Sequence, residues 1–362
     1  MKERIDFLDG MRGLAILLVI GFHAYSRWPE HVPYSDQYAD IFLFKYGWLG
    51  VQLFFLISGF VIFMSLERSR NFLHFIKKRW LRLFPAMLFV SLLVYFTLPL
   101  FIEGPTKTLS PIDFLPGLTF IEHTWWEALL QTPIRSIEGP YWTLYVEFRF
   151  YVIAALIFFF LGKRYLVPIL TLLYLVGLFS TVSHHLPQND FFIYLKKMSE
   201  VMSFGHFGWF AAGTAFYLYF STKEKKWFYA GWAIGLLSVL ILRDTKTIVP
   251  MLYGLTLLAI FSGSLVLPWI QALLRSKLLL LFGFVSYPLY LMHENALVAL
   301  VVKFGEHMPS VPSFAYPILA IALIVPAAYL IAKSVEPTLK RLFQNILDGG
   351  LKTVFSRAKS EI

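Results

Sequence analysis

Long apolar runs, separated by short polar segments, repeat along the whole chain. A helix needs about 20 apolar residues to cross a bilayer, and ten runs approach that length: 11–27, 48–66, 85–102, 142–161, 165–183, 204–221, 228–242, 247–267, 279–302 and 315–334. These runs are far longer than the roughly ten-residue alternating strands of outer-membrane barrels. The pattern therefore predicts an all-α integral membrane protein with about ten transmembrane helices.

Basic residues in the connecting segments predict the orientation of these helices. With a cytoplasmic N-terminus, 22 of the 32 Lys and Arg residues fall in cytoplasmic segments and 9 in outer loops, while Arg149 lies inside a span. This bias follows the positive-inside rule and places both termini in the cytoplasm. We expect a membrane-embedded domain over residues 1–340 and a basic cytoplasmic tail over 341–362.

The composition supports a membrane protein and excludes several functions. Of the 362 residues, 58% are hydrophobic and 15% are charged, whereas soluble domains are about 45–50% apolar and about 25% charged. The absence of Cys excludes disulfides and thiolate metal sites, and no helix carries histidines at metal-ligand spacing. The net charge of +10 is spread over short loops, which argues against nucleic acid as a partner. The first apolar run is interpreted as a retained helix, because it has no convincing cleavage site.

The first predicted helix contains two polar residues that are costly inside a bilayer. Arg12 and His23 are 11 residues apart, which returns them to nearly the same face about 16 Å apart along the axis. Arg12 then lies near the cytoplasmic end, where Asp9 can hold it, and His23 lies in the outer half. The alternative is that Arg12 snorkels to the inner interface and His23 caps the outer end.

A basic, amphipathic segment at 67–84 precedes the third span and is predicted to be cytoplasmic. Its Arg79 and Arg82 share a helix face, and two forked guanidinium groups suit phosphate binding. The competing interpretation is an anchor on acidic lipids. In the second span, Ser58 is a weaker candidate for lining a substrate channel.

The fourth and ninth spans contribute polar residues that we place in the outer half. Glu147 and Arg149 point about 200° apart on a helix, so at least one must face a polar interior. Glu147 is the stronger site candidate, with structural pairing to another helix as the alternative. His293 suits either catalysis or hydrogen-bonded packing. Aromatic residues that can stack on sugar rings lie close to Glu147: Tyr141, Trp142 and Tyr145.

Five segments, in order, resemble the acyltransferase 3 family of bacterial membrane acyltransferases. Arg12 and His23 match its Arg-x10-His signature, and Arg79 and Arg82 match its Arg-x-x-Arg motif. Each motif alone is weak, but five in order on a separately derived map of ten spans are specific. The segments are LDGMRGLAILLVIGFHA (8–24), WLGVQLFFLISGFVI (48–62), KKRWLRLFPAM (77–87), YWTLYVEFRFY (141–151) and VSYPLYLMH (285–293).

The resemblance implies an enzyme of the bacterial inner membrane. It would move an acyl group, often acetyl, from cytoplasmic acyl-CoA to a hydroxyl of a glycan or another extracytoplasmic acceptor. The chain is expected to be a stand-alone form without a fused esterase-like domain, with membrane lipids as its surroundings and no metal. Thr143 and Phe148 depart from many relatives, which have Ser and Glu at these positions, whereas the first acidic position is kept as Glu147.

The resemblance and the residue types together assign roles. His23 is expected to be the general base, because an imidazole titrates near neutral pH, and Glu147 to orient either the imidazole or the acceptor. Arg12, Arg79 and Arg82 are expected to bind the phosphates of coenzyme A. The candidates for contacting substrate are Asp9, Ser58, Tyr141, Trp142, Tyr145 and His293.

Two other classes of function stay open on the sequence. A transporter or flippase for a lipid-linked or anionic metabolite explains intramembrane charges equally well, although neither an inverted repeat nor paired broken helices is clear. A non-catalytic receptor or scaffold would tolerate loss of His23. The acceptor, the acyl chain and the oligomeric state are not determined by the sequence.

Overall fold

A computed structural model describes residues 5–182, 190–242 and 247–360, with side chains for 5–179, 190–242 and 247–349. Within these ranges the regular structure is helical and contains no strand. The α-helices are α1 (Asp6–Tyr25), α2 (Phe42–Lys45), α3 (Gly50–Glu67), α4 (Phe72–Thr97), α5 (Leu115–Thr119), α6 (His123–Leu130), α7 (Trp142–Leu156), α8 (Leu166–Val182), α9 (Asp190–Met202), α10 (Phe207–Thr222), α11 (Lys225–Leu240), α12 (Val249–Ser264), α13 (Pro268–Leu274), α14 (Lys277–His307), α15 (Ala315–Leu330) and α16 (Glu336–Ser360).

Each of the ten predicted runs coincides with a helix, but the helices differ in length. Among the described residues, six segments are long and apolar enough to span a bilayer: Asp6–Tyr25, Gly47–Glu67, Phe72–Leu100, Gly139–Leu161, Lys277–His307 and Ala315–Gly349. A seventh span results if α12 and α13, bent by 107° relative to each other, are counted together.

Four of the predicted spans correspond to shorter helices. Helices α8, α10, α11 and α12 have 16 or 17 residues, or about 24–26 Å, against a hydrocarbon thickness of about 30 Å. The all-helical membrane fold is therefore confirmed, whereas the count of ten and the cytoplasmic termini stay predictions. Residue 183, the last of the fifth predicted span, lies outside the described residues.

The basic segment before the third span is part of that span and not a separate loop. Helix α4 begins at Phe72 and continues for 26 residues. Arg79 and Arg82 therefore extend from the middle of one unbroken helix, in which Pro85 is accommodated. The expected boundary at residue 85 is wrong, because the amphipathic turns continue directly into the apolar ones.

The predicted tail also begins within a helix. Helix α15 passes through a π-helical turn, Ile331–Val335, directly into α16. Residues 341–360 thus continue α16, and 361–362 lie outside the described residues. Phe343 packs edge-on against the rings of Trp80 and Phe84, so the start of the tail lies against α4.

The chain divides into two compact units, which interleave along the sequence. The first unit comprises Met1–Glu30, Tyr34–Ile76 and Trp142–Ser286. The second comprises His31–Pro33, Lys77–Tyr141 and Tyr287–Ile362. The candidate residues are therefore distributed over both units, and each unit is described separately below.

In the first unit, two glycines of the second span allow close approach to α1. A Cβ atom at Gly47 would lie 2.2 Å from the carbonyl oxygen of Leu18, and one at Gly50 would lie 2.4 Å from that of Ala15. Later residues of the second span therefore contact earlier residues of α1, so the two segments run antiparallel. Small residues at such contacts permit the close packing that holds helices together in lipid.

Candidate functional site

His23 lies in the last turn of α1, where a hydrogen bond fixes its ring. Its Nδ1 is 2.9 Å from the backbone oxygen of Val19. Because a carbonyl oxygen only accepts hydrogen bonds, Nδ1 carries the proton of the neutral ring, and Nε2 is the basic nitrogen. The ring also packs edge-on against Phe22, with 5.2 Å between centroids. This arrangement orients Nε2 as a proton acceptor.

Arg12 lies at the other end of α1 and forms an ion pair with Asp9. Arg12 Nη1 donates to Asp9 Oδ1 at 2.7 Å, and the Asp9 side chain is 11% exposed. Asp9 is in the first turn, where a carboxylate also complements the positive end of the helix dipole. The expected contact between these two residues is confirmed, and Asp9 fixes the guanidinium near the N-terminal end of α1.

A second polar cluster joins α3 to α7. Ser58 Oγ and the hydroxyl of Tyr151 each donate to Glu147 Oε1 at 2.6 Å. Ser58 and Tyr151 are buried, and Glu147 is half-buried. Two donors on one oxygen fix the carboxylate. The sequence singled out Ser58 and Glu147 separately, and the structure brings them together.

This cluster is distant from His23. From the contact of Gly50 with α1, Ser58 lies about 12 Å further along α3. His23 lies eight residues beyond Ala15, the residue of α1 at this contact, or about 12 Å in the opposite direction, so about 24 Å along the helix axes separates Ser58 from His23. Glu147 is hydrogen-bonded to Ser58 and therefore lies beyond hydrogen-bonding reach of the imidazole. It lies at the level of Arg12 and not in the half of α1 that carries His23.

Arg149 points away from Glu147, as the helical spacing predicts. Its guanidinium donates to the backbone oxygen of Val201, to Ser203 Oγ at 3.0 Å and to the backbone oxygen of Tyr145 at 3.3 Å. Val201 is in the last turn of α9, where backbone carbonyls lack partners within the helix. Arg149 therefore caps α9 and does not extend the polar cluster around Glu147.

The remaining aromatic candidates of the first unit differ in exposure. Tyr145 is buried, whereas Trp142 is 38% exposed and can contact a ligand. The Trp142 ring lies 5.4 Å from the ring of His206, which also contacts Phe55 at 5.5 Å. Sequence reasoning missed His206, because it lies before α10 and outside every motif.

In the second unit, Arg82 is held between a carboxylate and an aromatic ring. Its Nη1 lies 2.5 Å from Glu336 Oε1, and its guanidinium carbon lies 5.4 Å from the ring centroid of Tyr287. Arg79 is half-buried one turn earlier on the same face of α4. On the same helix, Lys77 pairs with Asp348. Acidic groups of α16 thus already lie beside this basic face.

His293 and Tyr141 participate in backbone contacts of the second unit. The hydroxyl of Tyr141 donates to the oxygen of Leu291 at 3.0 Å, and Tyr290 donates to that of Pro140 at 3.1 Å. His293 is 1% exposed, and its Nδ1 lies 2.9 Å from the oxygen of Tyr290. These contacts favour the packing interpretation of His293 and a structural role for Tyr141.

A buried carboxyl group that the sequence did not single out lies beside them. Glu138 Oε2 accepts a hydrogen bond from the backbone N–H of Asn295 at 3.2 Å. Burial, together with the carboxyl group of Glu294, raises the pKa of Glu138 well above its ordinary value. Glu138 lies in a loop just before a span, so no periodicity could have identified it.

Among the residues that the structure describes, no group of three His, Asp or Glu side chains is placed to hold a metal ion. The polar side chains of the described site suit acid–base and electrostatic chemistry. Its elements are an oriented imidazole, a doubly hydrogen-bonded carboxylate and arginines that form ion pairs.

Comparisons with known proteins identify a family and several relatives. The Acyl_transf_3 family, described as an acyltransferase domain, matches residues 5–333. The chain is 29% identical over 163 residues to an O-acetyl transferase of Shigella phage Sf6, covering 42% of this chain and 45% of that protein. It is 27% identical over 169 residues to O-acetyltransferase OatA of Staphylococcus aureus strain NCTC 8325, covering 44% of this chain and 25% of OatA.

The matched region thus spans less than half the length of either relative. No solved structure matches the chain.

Proposed function

Because the chain belongs to the Acyl_transf_3 family of acyltransferase domains, we propose that it is a membrane O-acyltransferase. It transfers an acetyl group from cytoplasmic acetyl-CoA to a hydroxyl of an extracytoplasmic carbohydrate. Two of its relatives are named as O-acetyltransferases, which supports acetyl as the group and a hydroxyl as the acceptor. The positive-inside pattern supports a cytoplasmic supply of the donor.

The orientation of His23 is the observation that carries this proposal. With Nδ1 bonded to Val19, Nε2 takes the proton of the acceptor hydroxyl while the hydroxyl oxygen attacks the thioester carbonyl carbon. The tetrahedral intermediate collapses by breaking its carbon–sulfur bond. The thiolate of coenzyme A leaves and takes the proton from the imidazolium, so the base is regenerated.

The arginines are proposed to bind the phosphates of the donor. In the second unit, Arg79 and Arg82 present two guanidinium groups on one helix face, which suits phosphate oxygens. In the first unit, Arg12 is oriented by Asp9 and is also proposed to bind a phosphate of the donor. Each arginine can be tested alone, by the change in donor affinity when it is replaced.

Glu147 is proposed to position substrate and not to orient the imidazole. Ser58 and Tyr151 fix its Oε1, so Oε2 can accept a hydrogen bond from a substrate hydroxyl or amide. The distance of about 24 Å along the helix axes between Ser58 and His23 supports a role of Glu147 away from the imidazole. Trp142, with its exposed ring, is proposed to contact the carbohydrate.

The decisive experiment compares purified wild type with three variants, using acetyl-CoA labelled in its acetyl group. We expect His23→Ala to abolish transfer and still bind coenzyme A, and Arg82→Ala to bind it weakly. His307→Ala is the matched control, because His307 makes the same Nδ1 contact with the backbone oxygen four residues earlier, at 2.9 Å. It should behave as wild type.

Two results would overturn the proposal. Full activity of His23→Ala would remove the assigned base. Failure of the wild type to bind or cleave any acyl-CoA, together with movement of an anionic lipid across vesicles, would establish the transporter alternative instead. The bent pair α12 and α13 is the feature of the fold that such a transporter would use.

A further inference from the structure

A cavity of about 350 Å³ lies between three helices of the second unit. It is lined by apolar side chains of α4, of the 3-10 turn that follows α4, of α14 and of α15: Val94, Leu98, Met292, Leu300, Ile324 and Ala327. Ligand sites in proteins have volumes of about 300–1,000 Å³, so this cavity is large enough for part of a small molecule. None of the proposed catalytic or phosphate-binding residues lines it.

The polar end of the cavity is formed by Glu138, which is 1% exposed. Oε2 accepts from the backbone of Asn295, whereas no hydrogen-bond donor among the described residues reaches the buried Oε1. The Asn295 side chain already bonds to Thr106 and Ile137. Oε1 is thus a polar atom for which a ligand group can supply the partner. Burying such an atom without a partner is energetically unfavourable.

The chemistry of the lining selects among ligands. Among the residues that the structure describes, no Lys, Arg or His side chain lines the cavity. The carboxyl group of Glu294 lies close enough to raise the pKa of Glu138. An anionic phosphate or carboxylate at this point would be repelled or desolvated without compensation. A hydroxyl can donate to a carboxylate and accept from a carboxylic acid, so it fits Glu138 in either protonation state.

The open side of the cavity faces the region where lipid chains would lie. Leu323 lines the cavity and is 58% exposed. Nearby on α4, Phe96 is 73% exposed. Both side chains belong to segments long and apolar enough to span a bilayer, where exposed apolar residues contact lipid. An aliphatic chain that reaches the cavity past Leu323 would therefore meet apolar side chains.

We propose that this cavity binds the aliphatic chain of a membrane lipid whose hydroxyl group forms a hydrogen bond with Glu138. The site is independent of the acyl-transfer proposal, since its occupation is measured without turnover. Ala327 lines the cavity, so a larger side chain there would fill it. Ala322 lies on the same helix and is exposed, which makes it the matched control position.

The test uses the full chain in lipid nanodiscs with a long-chain primary alcohol that carries a diazirine in its chain. After irradiation, peptide mass spectrometry locates the label. We expect it on the segments that line the cavity, 292–300 and 323–327. Ala327→Trp should reduce this labelling at least fivefold, whereas Ala322→Trp should leave it unchanged. Equal labelling of Ala327→Trp and wild type, or an equal loss in both variants, would overturn the proposal.

The role of Glu138 is tested by comparing probes. The matched diazirine alkane without a hydroxyl should label the wild-type cavity several-fold less than the alcohol. Glu138→Gln retains hydrogen-bonding groups and should keep most of the difference, and Glu138→Leu should abolish it. Equal labelling by alcohol and alkane in wild type would show that Glu138 does not recognise a hydroxyl and would overturn this part of the proposal. That comparison needs no variant, so it stands even if Glu138→Leu fails to fold.

Discussion

Glu336 Oε1 lies 2.5 Å from Nη1 of Arg82, and this ion pair joins the first turn of α16 to the basic face of α4. The side chains are 16% and 42% exposed, respectively, so water screens the pair and its energy is about 0.2–1 kcal/mol. Arg82 is also the residue proposed to bind a phosphate. A bound donor therefore has to compete with Glu336 for the same guanidinium.

Replacing Glu336 by Gln should strengthen binding of coenzyme A by up to about fivefold, because the competing charge is removed. Titration calorimetry with the purified protein measures this change. Asp348→Asn is the control, since it releases Lys77 from the same helix and leaves Arg82 untouched. Unchanged or weaker binding by Glu336→Gln would contradict competition at Arg82.

Replacing Glu147 by Gln removes the negative charge of the side chain and keeps its hydrogen bonds, so it tests the two contributions separately. The amide oxygen still accepts from Ser58 and Tyr151, so thermal stability should stay close to that of wild type, while the transfer rate falls. Glu147→Leu removes an acceptor shared by two buried hydroxyl groups and should destabilise the protein by about 1–3 kcal/mol. Thermal unfolding and initial rates measure the two effects. Full activity of Glu147→Gln would exclude a role for its charge.

Replacing Arg149 by Ala should loosen α9 without changing donor affinity. The variant loses the hydrogen bonds to Val201 and Ser203, so the backbone of Asp190–Met202 should exchange its amide hydrogens faster. Hydrogen exchange with mass spectrometry reports this directly. Lys196→Ala, which removes a cation on α9 itself, is the control. Exchange as slow as in wild type would show that the cap contributes little.

Stability should depend on pH through Glu138. Because its pKa is raised above the ordinary value of 4.5, the folded state holds a proton that the unfolded state releases above that pH. The contribution of this proton to folding stability is complete below the pKa of Glu138 in the unfolded state. It is lost as pH rises through the pKa of Glu138 in the folded state. Wild type should therefore melt at a lower temperature at about pH 8 than at about pH 5.

The variant Glu138→Gln should show a smaller difference between these two pH values, because it has no proton to release. Other carboxyl groups, including that of Glu294 near Glu138, remain in the variant, so part of the dependence should persist. Identical pH profiles of wild type and variant would assign the effect to other groups.

Helical periodicity predicted the features that depend on one helix alone: its existence, the directions of its side chains and contacts within one turn. The ten apolar runs are helices, and Glu147 and Arg149 diverge because 100° per residue turns them to opposite sides. The local spacing also predicted that Asp9 holds Arg12. Helix lengths were less predictable, because an apolar run continues into turns and loops at both of its ends.

Contacts between distant segments could not be predicted in this way. Ser58 and Glu147, like Arg82 and Glu336, meet because particular helix faces pack together, and no local pattern encodes that choice. Glu138 was missed for the same reason. Its loop position carries no periodic signal, and its importance depends on the residues of α14 that bury it.

Helix α1 carries Arg12 and His23 on one unbroken run from Asp6 to Tyr25. The helix therefore fixes the distance between these two side chains. The spacing between guanidinium and imidazole, about 16 Å along the axis, is set by backbone hydrogen bonds and does not adapt to the ligand. One extra residue between them would advance His23 by about 1.5 Å and swing it about 100° around the axis. A molecule that contacts both ends must match this length, so with the roles proposed for Arg12 and His23, α1 would select its ligand by length as well as by charge.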